Sequence, residues 1–330
     1  MLRIIKPGLL DSLQDAGRIG FAASGINPNG VMDRYAMKAA NALMGNKLHQ
    51  GVLEMHFPAP VILFETAALF TLTGADFGAM INDEAVPVNK PVLVAAGTEL
   101  SFKKRLRGSR CYLSVKGGFD VQPWLDSIST NLITGAGGLN GKRLLKDDCI
   151  SFTQQPNYNG PLNIFPWRAD SSNAYVDGHY LYFLRGPEWH WLDETSKQQF
   201  LQEPFSISAQ SDRMAIRLNS EQLTMVPHGE MVSSAVTMGT MQLLPNGKVV
   251  ILMADHQTTG GYPRIGNIIG AHLPKLAQAS ANEYVHMLHV EQDVAEAFLF
   301  AQQEELNILQ MACEIKLDAK LKLLQQEMSI

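Results

Sequence analysis

Residues 248–264 read KVVILMADHQTTGGYPR. The run 248–254 is compact, apolar and of strand length. The segment from Asp255 to Arg264 then supplies an acid, an imidazole, an amide, two hydroxyls, two adjacent glycines and a guanidinium. Such a change marks a strand running out into a loop with an accessible backbone. Gly260 and Gly261 let that backbone approach a ligand closely, and Gln257, Thr258 and Thr259 carry both donors and acceptors. A hairpin turn with capping hydroxyls is the competing reading of the same run.

Working outward, the chain is mostly strands. Short apolar runs at 61–64, 68–72, 91–95, 99–102 and 111–115 are separated by glycine or basic turns, a spacing that predicts a sandwich or barrel. Strand patterns resume at 179–185, 205–208 and 215–218. Helices are predicted over 33–43, with Asp33 as cap and Gly45-Asn46 as stop, and over 189–201 and 273–278. The tail from 291 to 326 has neither Gly nor Pro and is rich in Glu, Gln, Leu, Ala and Lys, so it reads as one long helix or two in series. The polar stretch 154–178 holds three prolines and no clear period, which makes it the best linker candidate. Periodicity alone predicts two mainly β domains.

Composition fits a soluble globular protein: 330 residues, 46% hydrophobic, net charge -5. Scattered Lys and Arg exclude a nucleic-acid footprint. No uncharged apolar stretch is long enough for a membrane span, and the N-terminus enters a strand pattern at once, without a signal-peptide core. Cys111, Cys149 and Cys313 lie far apart in apolar surroundings, and are expected as buried thiols of a reducing, cytoplasmic compartment.

Standard catalytic motifs are absent. The run GAGGLNGKR at 135–143 has Ala136 where a Walker loop needs Gly and Arg143 where it needs Ser or Thr. It reads as a connection between strands, or as N–H groups offered to an anion. No histidine pair has zinc spacing, no GxSxG elbow occurs, and His286 and His289 fall on opposite faces of a terminal strand. What remains is a polar constellation for holding a small polar or anionic substrate.

Asp255 follows the strand directly and reads as a general base, an orienting acceptor or a turn-capping carboxylate. His256 is the only imidazole in the loop and is the candidate proton shuttle. Gln257 completes the catalytic candidates. Thr258 and Thr259 can hydrogen-bond a lactam or carboxylate, Gly260 and Gly261 expose N–H groups to developing charge, and Tyr262 closes one side or packs at the rim. Arg264 pairs with a substrate carboxylate or with Asp255. Asp212 and Arg213 form a loop ion-pair network or a structural staple. Gln242, before the turn Pro245-Asn246-Gly247, faces the site or pairs with backbone.

Further fragments occur in order: PGLLDSLQDAGRIG (7–20), GINPNGVMDRYAMKAANALMGN (25–46), LTGADFGA (72–79), KGGFDVQPWLDSIST (116–130), AQSDRMAIRL (209–218) and GTMQLLPNG (239–247). Together with 255–264 they resemble the biotin-dependent carboxyltransferase/allophanate hydrolase subunit 2 family, most strongly its bacterial 5-oxoprolinase branch. The resemblance implies a mainly β protein of two cyclophilin-like β-barrel domains with a few helices and a helical C-terminal tail. The expected boundaries are 1–155, a linker 156–178, 179–290, and a tail 291–330. The implied activity is the ATP-dependent opening of 5-oxo-L-proline to L-glutamate, within a complex that also contains the 5-oxoprolinase B and A subunits, the former small and the latter large. ATP would be bound by the complex, at a place the resemblance does not assign. Two alternatives stay open: a carboxyltransferase using carboxybiotin carried on another protein, since no Met-Lys-Met-type attachment motif is present here, and a non-enzymatic antagonist of a sensor-kinase inhibitor.

Departures from the family pattern stand at Asp126 and Ile128, within a segment that often carries Gly-Ser-Arg-Ser-Thr, at His272, where Asp is common, and at Ala215, where Gly is frequent. Relatives often carry Arg in place of His256, which argues against an obligatory imidazole.

Overall fold

The computed structural model describes residues 1–227 and 231–327. The expected chain is found: mainly β, with a closed barrel and a long C-terminal helix. It divides into two compact units, and the division is not colinear with the sequence. One unit takes residues 1–17, 33–171 and 303–330; the other takes 18–32 and 172–302.

The first unit holds two antiparallel sheets. The seven-stranded sheet runs Phe119–Asp120, Cys149–Phe152, Leu2–Lys6, Val61–Phe64, Thr98–Phe102, Ala79–Ile81, Glu84–Ala85. The six-stranded sheet runs Asn163–Ile164, Pro91–Val94, Ala68–Asp76, Arg107–Val115, Val52–His56, Ser12–Gln14. Alternation decides which faces meet: Leu2, Ile4, Ile62 and Phe64 share a core with Phe70, Leu72, Leu53 and Met55. The central strand Ala68–Asp76 is buried over most of its length because helix Arg34–Leu43 lies against it. Asp33 caps that helix as expected, accepting from Ala36 N at 2.8 Å.

The second unit is a seven-stranded closed barrel. Its order is Tyr180–Arg185, Arg264–Ile268, Thr240–Leu243, Val249–Leu252, Ala215–Asn219, Phe205–Ile207, Tyr284–His289. A parallel pairing of Tyr180–Arg185 with Tyr284–His289 closes the ring. Phe183, Met241, Ile251, Ile265 and Met287 fill the interior.

Four expectations are corrected. The stretch 154–178 is not a free linker: Asn163–Ile164 pairs with Val92 and Leu93, and Phe165 is fully buried. The predicted 189–201 helix is a 3-10 turn, Trp189–Trp191, and a helix, Glu194–Gln202, because extended Leu192 and Asp193 interrupt it. Asp193 then caps the second piece on Ser196 N at 2.7 Å. Of the three thiols, Cys149 is exposed. The tail is one helix, Gln292–Glu327, and the last three residues of the expected 291–330 segment lie outside the described residues. Among the described residues no helix is long and apolar enough to cross a membrane.

Candidate functional site

The strand Val249–Leu252 is buried along its whole length and delivers Asp255 to one end of the barrel. Asp255 is buried, and both its oxygens are engaged. Arg213 Nε donates to Oδ2 and Nη2 to Oδ1, each at 2.9 Å, and the Asn29 amide also donates to Oδ1. Arg213 Nη2 further donates to Gly30 O at 2.6 Å. Asn29 and Gly30 both sit at positive φ, the turn that Asn-Gly favours. This buried network ties residues 18–32 to the loop at 255. Its fork-on-carboxylate geometry engages both oxygens of Asp255, an arrangement suited to holding the loop in place.

The Asp212–Arg213 pairing does not form. Asp212 Oδ1 accepts from Met214 N and Ala215 N at 2.8 and 3.0 Å, stabilising its own turn. Arg264 pairs neither with Asp255 nor with the open loop. Its Nε donates to Glu188 Oε2 at 3.0 Å and its Nη2 to Oε1 at 2.9 Å, while its backbone N–H donates to Oε2 at 2.9 Å. Burial alone would raise the Glu188 carboxyl, but the Arg264 hydrogen bonds outweigh it and hold the group below its usual range. The same hydrogen bonds raise Arg264. Its Nη1 lies 3.5 Å from Ala235 O.

Between these two anchors the segment carries no charge other than that of a protonated His256. His256 is buried, with Nδ1 2.6 Å from Gln257 O. Gln257 Nε2 donates to Gln242 Oε1 at 3.4 Å, and Gln242 Nε2 points to Tyr262 O at 3.5 Å. Thr259–Gly260 forms a short ribbon with Ser234–Ala235. A Cβ at Gly260 would meet the Gln242 amide nitrogen at 2.4 Å and would have to displace that amide. Thr259, Gly261 and Tyr262 are exposed, and Thr258 is half-buried. The structure therefore groups Gln242, Gln257, Thr258, Thr259, Gly260, Gly261 and Tyr262 into one uncharged lip, with Arg213 and Asp255 beneath its entry and Arg264 at its exit.

Sequence reasoning missed Ser233, Ser234, Glu188 and the amide of Asn29. Ser234 Oγ is buried and has no hydrogen-bond partner among the described residues. A side chain at Gly261 would meet Ser233 Oγ at 3.2 Å. The adjacent serines at 233–234 were a readable signal, but their distance from the loop in sequence hid the pairing. No group of three His, Cys, Asp or Glu stands together as a metal site among the described residues.

The departures have local accounts. Burial, and then Lys275, lowers His272 to about 4, so its ring is neutral at pH 7 and Nδ1 accepts from Tyr182 N at 2.9 Å. Ile128 packs over Gly51, where a Cβ would meet Ile128 Cδ1 at 2.0 Å. Its backbone N–H, with the hydroxyls of Ser127 and Ser129, donates to Asp15 at 2.6–2.7 Å. Asp126 sits at positive φ in the turn before them. Ala215 is buried and pairs with Leu252.

Residues 24–288 match the family model of a carboxyltransferase domain, subdomains A and B. The C subunit of 5-oxoprolinase from Escherichia coli is 37% identical over 317 residues, covering 94% of this chain and 98% of that protein. Its namesake from Haemophilus influenzae is 33% identical over 279 residues, covering 84% and 87%. Among solved structures, the K. lactis urea amidolyase superposes with a TM-score of 0.85 at 24% identity, a likeness of fold alone. That match covers 93% of this chain and 20% of the amidolyase.

Proposed function

The chain belongs to the carboxyltransferase-domain family, and from that membership we propose that it acts as the C subunit of an ATP-dependent 5-oxoprolinase. The observation that carries this reading is the uncharged lip at 257–262, braced at both ends by ion pairs. A lactam presents one N–H donor and one carbonyl acceptor, and amides, hydroxyls and backbone groups match both without a net charge. Gln257, Thr258 and Thr259 hold the ring and the attacking water in line. The N–H groups of Gly260 and Gly261 are offered to charge developing on the lactam carbonyl oxygen. Arg264 Nη1, the nitrogen not spent on Glu188, offers one bond to the substrate carboxylate. Water adds to the ring carbonyl, the C–N bond breaks, and the nitrogen gains a proton to give glutamate. Asp255 and Arg213 position the loop, and His256 orients Gln257 through its carbonyl.

ATP is the proposed co-reactant of the complex, and the 135–143 run departs from a phosphate loop at Ala136 and Arg143. Gly141 in the 135–143 loop packs on Gly135, where a Cβ would meet the carbonyl oxygen at 1.9 Å, so Gly141 serves the loop's own folding. The 5-oxoprolinase B and A subunits are the proposed partners, and the cytoplasm the proposed location.

The family match favours one second reading: carboxyl transfer from carboxybiotin delivered by another protein. Reconstitution separates the two. The chain is assayed alone and with candidate B and A partners for 5-oxoproline-dependent ATP hydrolysis and glutamate release. The proposal expects turnover only in the mixture. Robust turnover by the isolated chain overturns the reading of it as one part of a complex. An inert mixture, together with carboxyl transfer once a biotinylated carrier is added, establishes the second reading instead.

A further inference from the structure

Helix Gln292–Glu327 is anchored along one side by buried Leu306, Cys313, Leu317 and Leu324. Its opposite face is also apolar. Ile308, Met311 and Ile315 are 57%, 58% and 73% exposed and stand at i, i+3 and i+7, so they form a single stripe. Exposed Ala312 and Ala319 border it and let another backbone come close. Large apolar side chains scattered singly need no explanation, but a stripe centred on a helix opposite its packed face does. The family match ends at residue 288, so the stripe lies outside the matched domain.

Charge says what covers it. From Gln292 to Gln310 the helix carries Asp293, Glu296, Glu304 and Glu305 and no Lys or Arg; its lysines, Lys316, Lys320 and Lys322, all follow, interspersed with Glu314, Asp318 and Glu327. On the exposed face, Glu304, Met311 and Asp318 recur every seven residues, as do Ile308, Ile315 and Lys322. That is the heptad spacing of a two-helix seam.

We propose that this face is a self-association surface, occupied by the same helix of a second copy of the chain running antiparallel. A two-fold axis close to residue 313 sets Met311 against the partner's Ile315 and Glu304 against the partner's Lys322. Ile308 falls between the partner's Asp318 and the partner's Ala319. Every contact then occurs twice, as an isologous interface requires. A parallel pair would instead set Glu304 against Glu304 and Lys322 against Lys322. The antiparallel arrangement sets the Glu304 of each helix against a lysine of the other.

Sedimentation velocity of the full chain, alone and at micromolar concentration, tests this. The wild type is expected to be a dimer. Ile315→Glu should be a monomer with an unchanged circular-dichroism spectrum, because the residue is exposed within one chain. Glu304→Lys and Lys322→Glu should each weaken the dimer roughly tenfold, and combining them should restore it. A monomeric wild type overturns the proposal, including when the stripe is needed only to bind a different protein. A dimer indifferent to Ile315→Glu, or a double variant no tighter than the singles, also overturns it.

Discussion

The two ends of the 255–264 segment are held by the same chemistry in different surroundings. At its entry, Arg213 and Asp255 are 6% and 7% exposed and the guanidinium forks onto the carboxylate. At its exit, Arg264 and Glu188 form a similar fork, but the Arg264 side chain keeps 24% of its exposure. A buried pair is strongly destabilising when one partner is removed, because the survivor is left charged and unhydrated. A pair in contact with solvent loses far less, since water takes the partner's place. The entry pair therefore decides whether the loop adopts this form. The exit pair trims it, and under the proposed function the chemistry falls to the uncharged residues between.

The strongest challenge to this contrast is Asp255→Asn. It removes one charge at nearly constant volume and breaks the fork that buried Arg213 makes on the Asp255 carboxylate. Stability should fall by about 3–5 kcal/mol, read as a shift in the urea midpoint. If stability is unchanged while turnover of the reconstituted complex collapses, Asp255 is a catalytic group after all and the holding role is wrong.

Thr259→Val probes the middle. Thr259 is exposed, so folding should not change, but a polar substrate atom would lose its partner. Substrate affinity should weaken by about 1–3 kcal/mol. Wild-type kinetics in the reconstituted complex would remove Thr259 from the site.

A much weaker response belongs to the exit. Glu188→Gln should cost about 0–1 kcal/mol at neutral pH. Because the folded carboxyl is held below its ordinary value of 4.5, its contribution is present above that value and is lost as pH falls through the folded one. The variant should therefore show a flatter stability profile than wild type below about pH 4.5, with the two curves converging in acid. A penalty as large as that of Asp255→Asn would erase the distinction between the two ends.

Much of the fold was legible because it is local. Strands such as Val61–Phe64 and the capped helix Arg34–Leu43 follow from apolar period and a single Asp. The tail helix follows from composition. The 189–201 pattern failed because periodicity does not register the extended pair Leu192 and Asp193, whose side-chain cap restarts the helix.

A mainly β chain, its family, and a loop at 255–264 rich in uncharged donors and acceptors can all be read without coordinates. Each rests on residues near one another in the chain, where period, turn chemistry and motif act. Which charges in that loop are free is a matter of the folded arrangement. Arg213 and Asp255 are 42 residues apart and Arg264 and Glu188 are 76 apart. Asn29 reaches Asp255 across 226 residues. A guanidinium takes whichever carboxylate the fold presents in a dry place, and neither spacing nor residue type states which one that is.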